Sequence, residues 1–288
     1  MNSLELQTLL RSKMGKMPNK ARKVVDYILS HMREAAFMSI GEVAEHLEVS
    51  KAQLVRVSRM LGFSGYSELK TALKDAVLEQ VNPAAMFEKV MKDQKDLPEA
   101  IYRIEHANLD DTWKQITPEK VKLFCDMIQK ANDIYCVGWG ISALVAESLY
   151  TRLMEMGLKG VLMKRGSMAL IEQARAVKEG DLVIVCELPS YVIEVTESIQ
   201  RSKESNAKII TFTDSPAAPI CQYADLSFYV SDKSPTFGSS IIAPLFLIHL
   251  LTSILAVNLG EKAAAALKDQ VKGLHDERIY YPSYDLRY

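Results

Sequence analysis

Lys51, Gln53, Arg56 and Arg59 are the side chains of this sequence best suited to reading and gripping a nucleic acid. Ala52, Arg56 and Arg59 stand at i, i+4 and i+7, so a helix through them shows one small and two cationic residues on one face. Lys51 and Gln53 open the same helix behind Ser50, whose hydroxyl can cap an orphan N–H one turn on. Arginine pairs with guanine edges and glutamine with adenine, while lysine and arginine also meet phosphate. The candidate DNA contacts are therefore Ser50, Lys51, Ala52, Gln53, Arg56 and Arg59, with Gln53 and Arg56 at bases and Lys51 and Arg59 at phosphates. An ordinary helical hairpin with a solvated basic face has the same spacing.

A second set of residues follows hydrophobic, strand-like runs, in the loops 138–142 (GWGIS), 164–167 (KRGS), 187–191 (ELPSY) and 213–216 (TDSP). Beyond the carboxyl ends of parallel strands, helix N-termini offer free N–H groups and a dipole that favours anions. Gly138, Gly140, Ser142, Lys164, Arg165, Ser167, Glu187, Ser190, Tyr191 and Thr213 are the candidate ligand-binding residues. Gly138, Gly140 and Ala143 also fit the spacing of a dinucleotide fingerprint. An NAD site wants an acid about 20 residues on, whereas the second strand here ends in Lys164 and Arg165, which suit the extra phosphate of NADP. An NADP-binding protein thus stands as an alternative beside a tight glycine turn that holds nothing. Cys125, Cys136, Cys186 and Cys221 include no CxxC pair and read as reduced packing residues, so neither a metal nor a resident cofactor is expected.

The elements that must carry these residues follow from periodicity. Ile40, Val43, Ala44 and Leu47 make one apolar stripe on a short helix, Glu48 and Val49 turn the chain, and Leu54, Val57 and Leu61 form the buried seam of the next helix. Residues 39–65 therefore read as a helix-turn-helix. Helices are expected over residues 3–11, from Pro18 through Val24, Val25, Ile28, Leu29 and Met32, and through Leu69, Leu73 and Val77, with Asn82-Pro83 ending the unit. Residues 96–115 and 118–130 read as two amphipathic connecting helices. From Asp133 the runs IYCV, VLM, LVIVC, IITF and LSFYV alternate with helices starting near Ser142, Ser167, Ser190 and Pro216, the pattern of a mostly parallel sheet covered on both faces. A long apolar helix near 239–258 packs last, and the aromatic tail is expected to be an arm on a partner subunit or on its own domain.

The 288 residues are enough for two domains. No uninterrupted apolar run reaches the ~18 residues of a membrane span, since Pro244, His249 and Asn258 break the longest, and no signal-peptide layout opens the sequence, so a cytoplasmic location is expected. The net charge of −1 hides an asymmetry: residues 1–80 carry 12 Lys+Arg against 9 Asp+Glu, and the remainder 23 against 27. A positive first segment suits a polyanionic partner, because cations that displace condensed counterions supply much of DNA affinity. Lys16 is one of a cluster of cations near the N-terminus that suits either phosphate or solvent.

Two segments together resemble the RpiR family of bacterial transcriptional regulators. SIGEVAEHLEVSKAQLVRVSRMLGFSGYSELK carries the resemblance at the N-terminal side. VGWGISALVAESLYTRLMEMG, EGDLVIV, AKIITFTDSPAAPICQYADLSFYV and SSIIAPLFLIHLLTSIL carry it at the C-terminal side, as a sugar isomerase (SIS) domain. The resemblance implies an all-α helix-turn-helix domain at 1–80, a helical linker at 81–130, a flavodoxin-like α/β three-layer sandwich (the SIS domain) at 131–260 and a C-terminal helix and tail at 261–288. It implies a regulator, expected to be a repressor, acting on a double-stranded operator as a homodimer or homotetramer under control of a phosphosugar or other small metabolite. Ser142 is implied to help bind that effector. The third-strand loop of the family reads S-x-S-G-x-T; here Glu187, Pro189, Ser190 and Val192 replace the first serine, the second serine, the glycine and the threonine. A carboxylate where phosphate would sit repels it unless it is turned away or paired, with Lys164 or Arg165 as the expected partner, so a conventional sugar phosphate is not expected there.

SIS domains also occur in aldose–ketose isomerases, the other alternative. Isomerisation needs a positioned base and a ring-opening group. The histidines in the C-terminal part are His275, near the tail, and His249, expected to be a core histidine. Without a phosphate anchor Glu187 has no means of positioning a sugar, so the chain is expected not to be an enzyme.

Overall fold

A computed structural model describes residues 3–15, 17–80, 84, 87–88, 91, 96–277 and 279. Lys16, Asn82, Pro83 and most of the aromatic tail lie outside the described residues. The chain divides into two compact units, residues 1–106 with 214–221 and 233–240, and residues 107–213 with 222–232 and 241–288.

The first unit is helical. It runs through α1 (Ser3–Met14), α2 (Asn19–Ser30), α3 (Met32–Phe37), α4 (Ile40–His46), α5 (Lys51–Leu61) and α6 (Tyr66–Gln80). Pro18 is the N-cap of α2, where its missing N–H costs nothing. The helix expected to run on through Met32 breaks at His31 instead, and Met32 opens the separate α3, still facing the core. Leu6, Leu10, Val24, Ile28, Val43, Leu54, Leu61, Leu69 and Leu73 fill that core. Tyr27 stacks on His31 with ring centroids 4.8 Å apart, and the His46 ring lies 4.9 Å away. Tyr66 is also buried, which pushes its hydroxyl pKa up to about 12, with the charges of Tyr27 and Glu42 adding to the effect.

The second unit is a five-stranded parallel sheet, β1 (Ile134–Gly138), β2 (Gly160–Met163), β3 (Leu182–Glu187), β4 (Lys208–Thr213) and β5 (Leu226–Tyr229), in the order β2-β1-β3-β4-β5. Strands β1 and β3 are buried along their whole length, as expected of central parallel strands. Side chains alternate across the sheet. Ile134, Cys136, Ile184, Cys186, Phe212 and Phe228 share one core with α8 (Pro118–Lys130), α9 (Ile141–Glu155) and α12 (Ile242–Leu259). In it the Phe124 ring meets Phe212 and Phe228 edge-on at 6.4 and 6.0 Å. The opposite face, with Val183 and Val185, lies where α11 (Ile193–Glu204) meets β3 and β4. Burial pushes the Cys136 thiol up to about 12 and Cys186 well above its usual value, and all four cysteines are free.

Several expected features come out differently. The helix expected near Ser167 is only α10 (Leu170–Gln173), and the one near Pro216 is a 3-10 turn, Pro219–Tyr223. Pro244 does not break the apolar run: it sits in the first turn of α12, where a proline is tolerated. That helix is long and apolar enough to cross a membrane by length and composition, yet Ala243, Leu247, Ile248, Leu251 and Leu255 join the sheet core. His249 is exposed rather than in the core, because it falls on the face of α12 turned away from these residues. Helix α7 (Leu97–Lys114) buries Asn108 and Thr112, which accept hydrogen bonds from the Ser231 hydroxyl (2.8 Å) and N–H (2.9 Å). A last helix, α13 (Glu261–Asp276), follows α12.

At the amino ends of β4 and β5, Asp225 accepts hydrogen bonds from Lys203 (2.7 Å), Lys208 (3.0 Å) and the Ile209 N–H (2.9 Å). Burial raises its pKa, but these bonds and the Lys203 charge outweigh burial and hold it below the ordinary carboxylate value. A depressed pKa gives stability that is present above the unfolded-state pKa of about 3.9 and lost as pH falls through the folded one. Asp225→Asn should therefore lower the thermal midpoint at neutral pH, and the gap to the parent should close as acid protonates the parent. A gap constant with pH would show that Asp225 acts by packing instead. The Tyr66 hydroxyl finds no hydrogen-bond partner among the described residues. Tyr66→Phe should leave the midpoint unchanged or raise it by the equivalent of about 1 kcal/mol, and a marked fall would show that the hydroxyl is satisfied.

Candidate functional site

The helix-turn-helix is built by local chemistry. Ser39 and Glu42 close a capping box on α4: Ser39 Oγ accepts the Glu42 N–H at 3.2 Å, and the Glu42 carboxylate accepts the Ser39 N–H. Those bonds hold the Glu42 pKa below its ordinary value. The turn closes with Glu48 at φ 53° and the Val49 N–H on the Ala44 carbonyl at 2.8 Å. Ser50 Oγ then accepts the Gln53 N–H at 3.2 Å and caps α5, which ends at Gly62 with φ 104°, the left-handed end that glycine permits. Leu54, Val57, Ser58 and Leu61 are buried, while Lys51, Ala52, Arg56 and Arg59 are exposed and Gln53 is half-buried. The structure therefore brings the six expected side chains to the start and outer face of one helix. Ser50 is occupied as the cap, and Arg59 Nε donates to the Ser64 carbonyl at 3.2 Å, tying the loop after α5 to the same face.

In the second unit the strand order reverses between β1 and β3, where the chain first steps outward to β2 and then returns to the other side. Ligands of such sheets sit in the crevice at that reversal. Two loops build it. The first runs from Gly138 to Ser142. A Cβ on Gly138 would lie 2.6 Å from the Ser142 carbonyl oxygen, so only glycine lets β1 end so close to α9. Gly140 is the N-cap of α9 with φ 57°. The two glycines are thus explained by the strand-to-helix turn alone. Ser142 is buried, and its Oγ accepts the Leu188 N–H at 3.0 Å, fastening the first loop to the loop after β3.

Glu187 ends β3 opposite Thr213 of β4. It shares the sheet face of Val183 and Val185, toward α11, and is only 4% exposed. Its Oε1 accepts the Val192 N–H, at the N-cap of α11, at 2.9 Å. It neither points to solvent nor pairs as expected. Lys164 meets Glu147 at 2.7 Å and Arg165 meets Glu194 at 3.1 Å, because the loop after β2 lies against α9 and the first turn of α11. Glu194 also accepts the Leu170 N–H, and the Gln173 amide donates to the Lys164 carbonyl, fixing that loop. Ser190 is exposed with φ 84°, a left-handed conformation that glycine favours. Tyr191 is half-buried, Thr213 is buried and Ser167 is exposed. Sequence reasoning missed Glu147 and Glu194 and the parts played by the Leu188 and Val192 N–H groups, since these roles arise only from tertiary neighbours.

These two constructions define a class of protein, a helix-turn-helix DNA-binding regulator joined to a flavodoxin-like α/β domain. The helix-turn-helix domain of the rpiR family matches residues 4–80, and the SIS domain matches residues 127–254. An HTH-type transcriptional regulator of Haemophilus influenzae is 26% identical over 266 residues, covering 90% of this chain and 92% of its own. The HTH-type transcriptional regulator RpiR of Escherichia coli is 25% identical over 254 residues, covering 87% of this chain and 84% of its own. The structure of Vibrio vulnificus NanR complexed with ManNAc-6P shares the fold with a TM-score of 0.64 at 22% identity, over 94% of this chain and 98% of that one. The chain belongs to the RpiR family of transcriptional regulators.

Two substitutions probe the crevice loops. A non-glycine residue held at positive φ costs about 1–2 kcal/mol, partly offset in Ser190→Gly by a more flexible unfolded chain. Ser190→Gly should be neutral or stabilising by up to about 1 kcal/mol in thermal unfolding. Gly138→Ala should destabilise by about 1–3 kcal/mol, because α9 must move away from β1. If Ser190→Gly destabilised instead, the loop would not hold the left-handed turn.

Proposed function

We propose that this regulator is a cytoplasmic, homo-oligomeric repressor, with residues 1–80 binding an operator and residues 131–260 binding a small metabolite that controls it. The exposed outer face of α5 carries the DNA-binding reading: capped at Ser50, stopped at Gly62 and seated by Leu54, Val57 and Leu61, it offers Lys51, Ala52 and Arg56 to a major groove. Gln53 and Arg56 read bases, and Lys51 and Arg59 meet phosphates. Two such helices in an oligomer fit half-sites about one DNA turn apart, and effector occupancy of the crevice shifts the fit.

The effector crevice comprises Gly138, Gly140, Ser142, Lys164, Arg165, Ser167, Glu187, Ser190, Tyr191 and Thr213. NanR, of the same fold, is complexed with a phosphorylated amino sugar, which supports a sugar-like metabolite as ligand. The altered loop after β3 argues against the phosphate itself. The domain acts as a sensor rather than an isomerase: Glu187 is held by the Val192 N–H in a buried setting, and exposed His249 lies on α12, away from these loops along the chain. Turnover of an aldose phosphate that disappears in Glu187→Gln would overturn this part of the reading.

Arg56→Ala should weaken operator binding by about 1–3 kcal/mol and relax preference at one base position. Lys51→Ala should weaken binding to all sequences alike and flatten the dependence of log K on log salt by about one unit. Fluorescence anisotropy across a salt series separates the two effects. Unchanged operator affinity and preference in Arg56→Ala would mean that α5 is not docked in this way.

A further inference from the structure

The crevice at the β1/β3 reversal carries its own carboxyl group. Helix α11 is 12 residues long, and its N-terminal end has the dipole and the free N–H groups that attract a negative group. A carboxyl group is already there. Glu187 is 4% exposed, shares the face on which α11 lies, and holds the Val192 N–H at 2.9 Å. A second donor of the same loop, the Leu188 N–H, is taken by Ser142 Oγ at 3.0 Å. The nearby cations are also engaged, Lys164 with Glu147 and Arg165 with Glu194. An incoming phosphate therefore finds two backbone donors of the loop in use, Lys164 and Arg165 each matched by a carboxylate, and a buried carboxyl group at the helix end.

We infer that Glu187 is an intramolecular stand-in for a ligand's phosphate, and that it sets the specificity of the crevice for ligands without an anionic group. The fitting chemistry is a sugar-like molecule that donates O–H or N–H groups to carboxylate and carbonyl oxygens. This rests on the reading of the domain as an effector sensor and adds which effectors it rejects. Ser190 keeps the loop in the left-handed shape that glycine favours, so the backbone of the turn is retained while its charge is reversed from receiving an anion to supplying one. The specificity determinant is therefore one side chain, not a collapsed loop.

The experiment uses the full chain and three probes, ManNAc-6P, N-acetylmannosamine and inorganic phosphate, with binding read by calorimetry and thermal shift. The parent should show no saturable binding that depends on the phosphate. Glu187→Gln and Glu187→Ser should gain it, with ManNAc-6P binding at least about tenfold tighter than to the parent, because a like charge at contact distance costs more than that factor when partly buried. Ser190→Gly, which leaves the carboxylate in place, should gain nothing. Phosphate-dependent binding by the parent would overturn the inference, as would a gain in Ser190→Gly, or no gain in Glu187 variants that keep the parental fold. Operator affinity measured on the same samples separates the two readings. A Glu187 variant that gains ManNAc-6P binding while its DNA affinity ignores the ligand supports the internal anion and removes the sensor reading. A parent that binds ManNAc-6P and responds on DNA does the reverse.

Discussion

The hydrogen bond from the Leu188 N–H to Ser142 Oγ crosses the line at which the sheet changes direction, and the ligand end of the second unit is organised about it. It forms only because Gly138 lets the start of α9 press against the end of β1, and because β1 and β3 run side by side in register, Gly138 opposite Cys186. A small bond in a buried place is expensive to leave unmade. Glycine, serine and the loop after β3 are consequently one device, and the Glu187 carboxylate is positioned by the same loop that this bond anchors.

The first unit shows a different balance. Its output surface is held by caps and by a few leucines and valines beneath it, with Ser50 serving as a cap and Arg59 tied to the Ser64 carbonyl. Lys51 and Arg56 remain exposed on α5, and their freedom is what allows them to be redirected onto DNA. The second unit instead pairs charged side chains with one another at its crevice loops, Lys164 with Glu147 and Arg165 with Glu194. Exposed pairs of this kind contribute little stability, about 0–1 kcal/mol each. Their larger effect is on the local potential that an incoming molecule meets.

Much of this was legible from spacing alone, and the reason is locality. Ser50 acts on the turn next to it, and the apolar stripes Ile40, Val43, Ala44, Leu47 and Leu54, Val57, Leu61 repeat at helical spacing, so types and positions announce the two helices. The five strands were readable because doubly buried parallel strands must be apolar throughout, as in IYCV and LVIVC. What stayed hidden depends on neighbours remote in sequence. Whether Glu187 faces water, a cation or a backbone N–H is decided by where α11 begins, and Arg165 is claimed by Glu194, 29 positions on. His249 looked enclosed because its chain neighbours are apolar, but a helix buries only one side. Pro244 looked like an interruption because its place in the first turn could not be fixed without the helix start.

The paired burial of Cys136 and Cys186 on adjacent central strands gives the sheet a chemical clock. Both thiols are sealed and kept protonated by their surroundings, whereas Cys221 is only half-buried. A thiol-modifying reagent reaches the inner pair only when the helices over that face lift or the strands part, so the labelling rate at Cys136 and Cys186 counts openings of the core beneath the crevice. A molecule that binds across β1 and β3 in the closed state better than in the open one slows that count, whether or not it changes the protein's average shape.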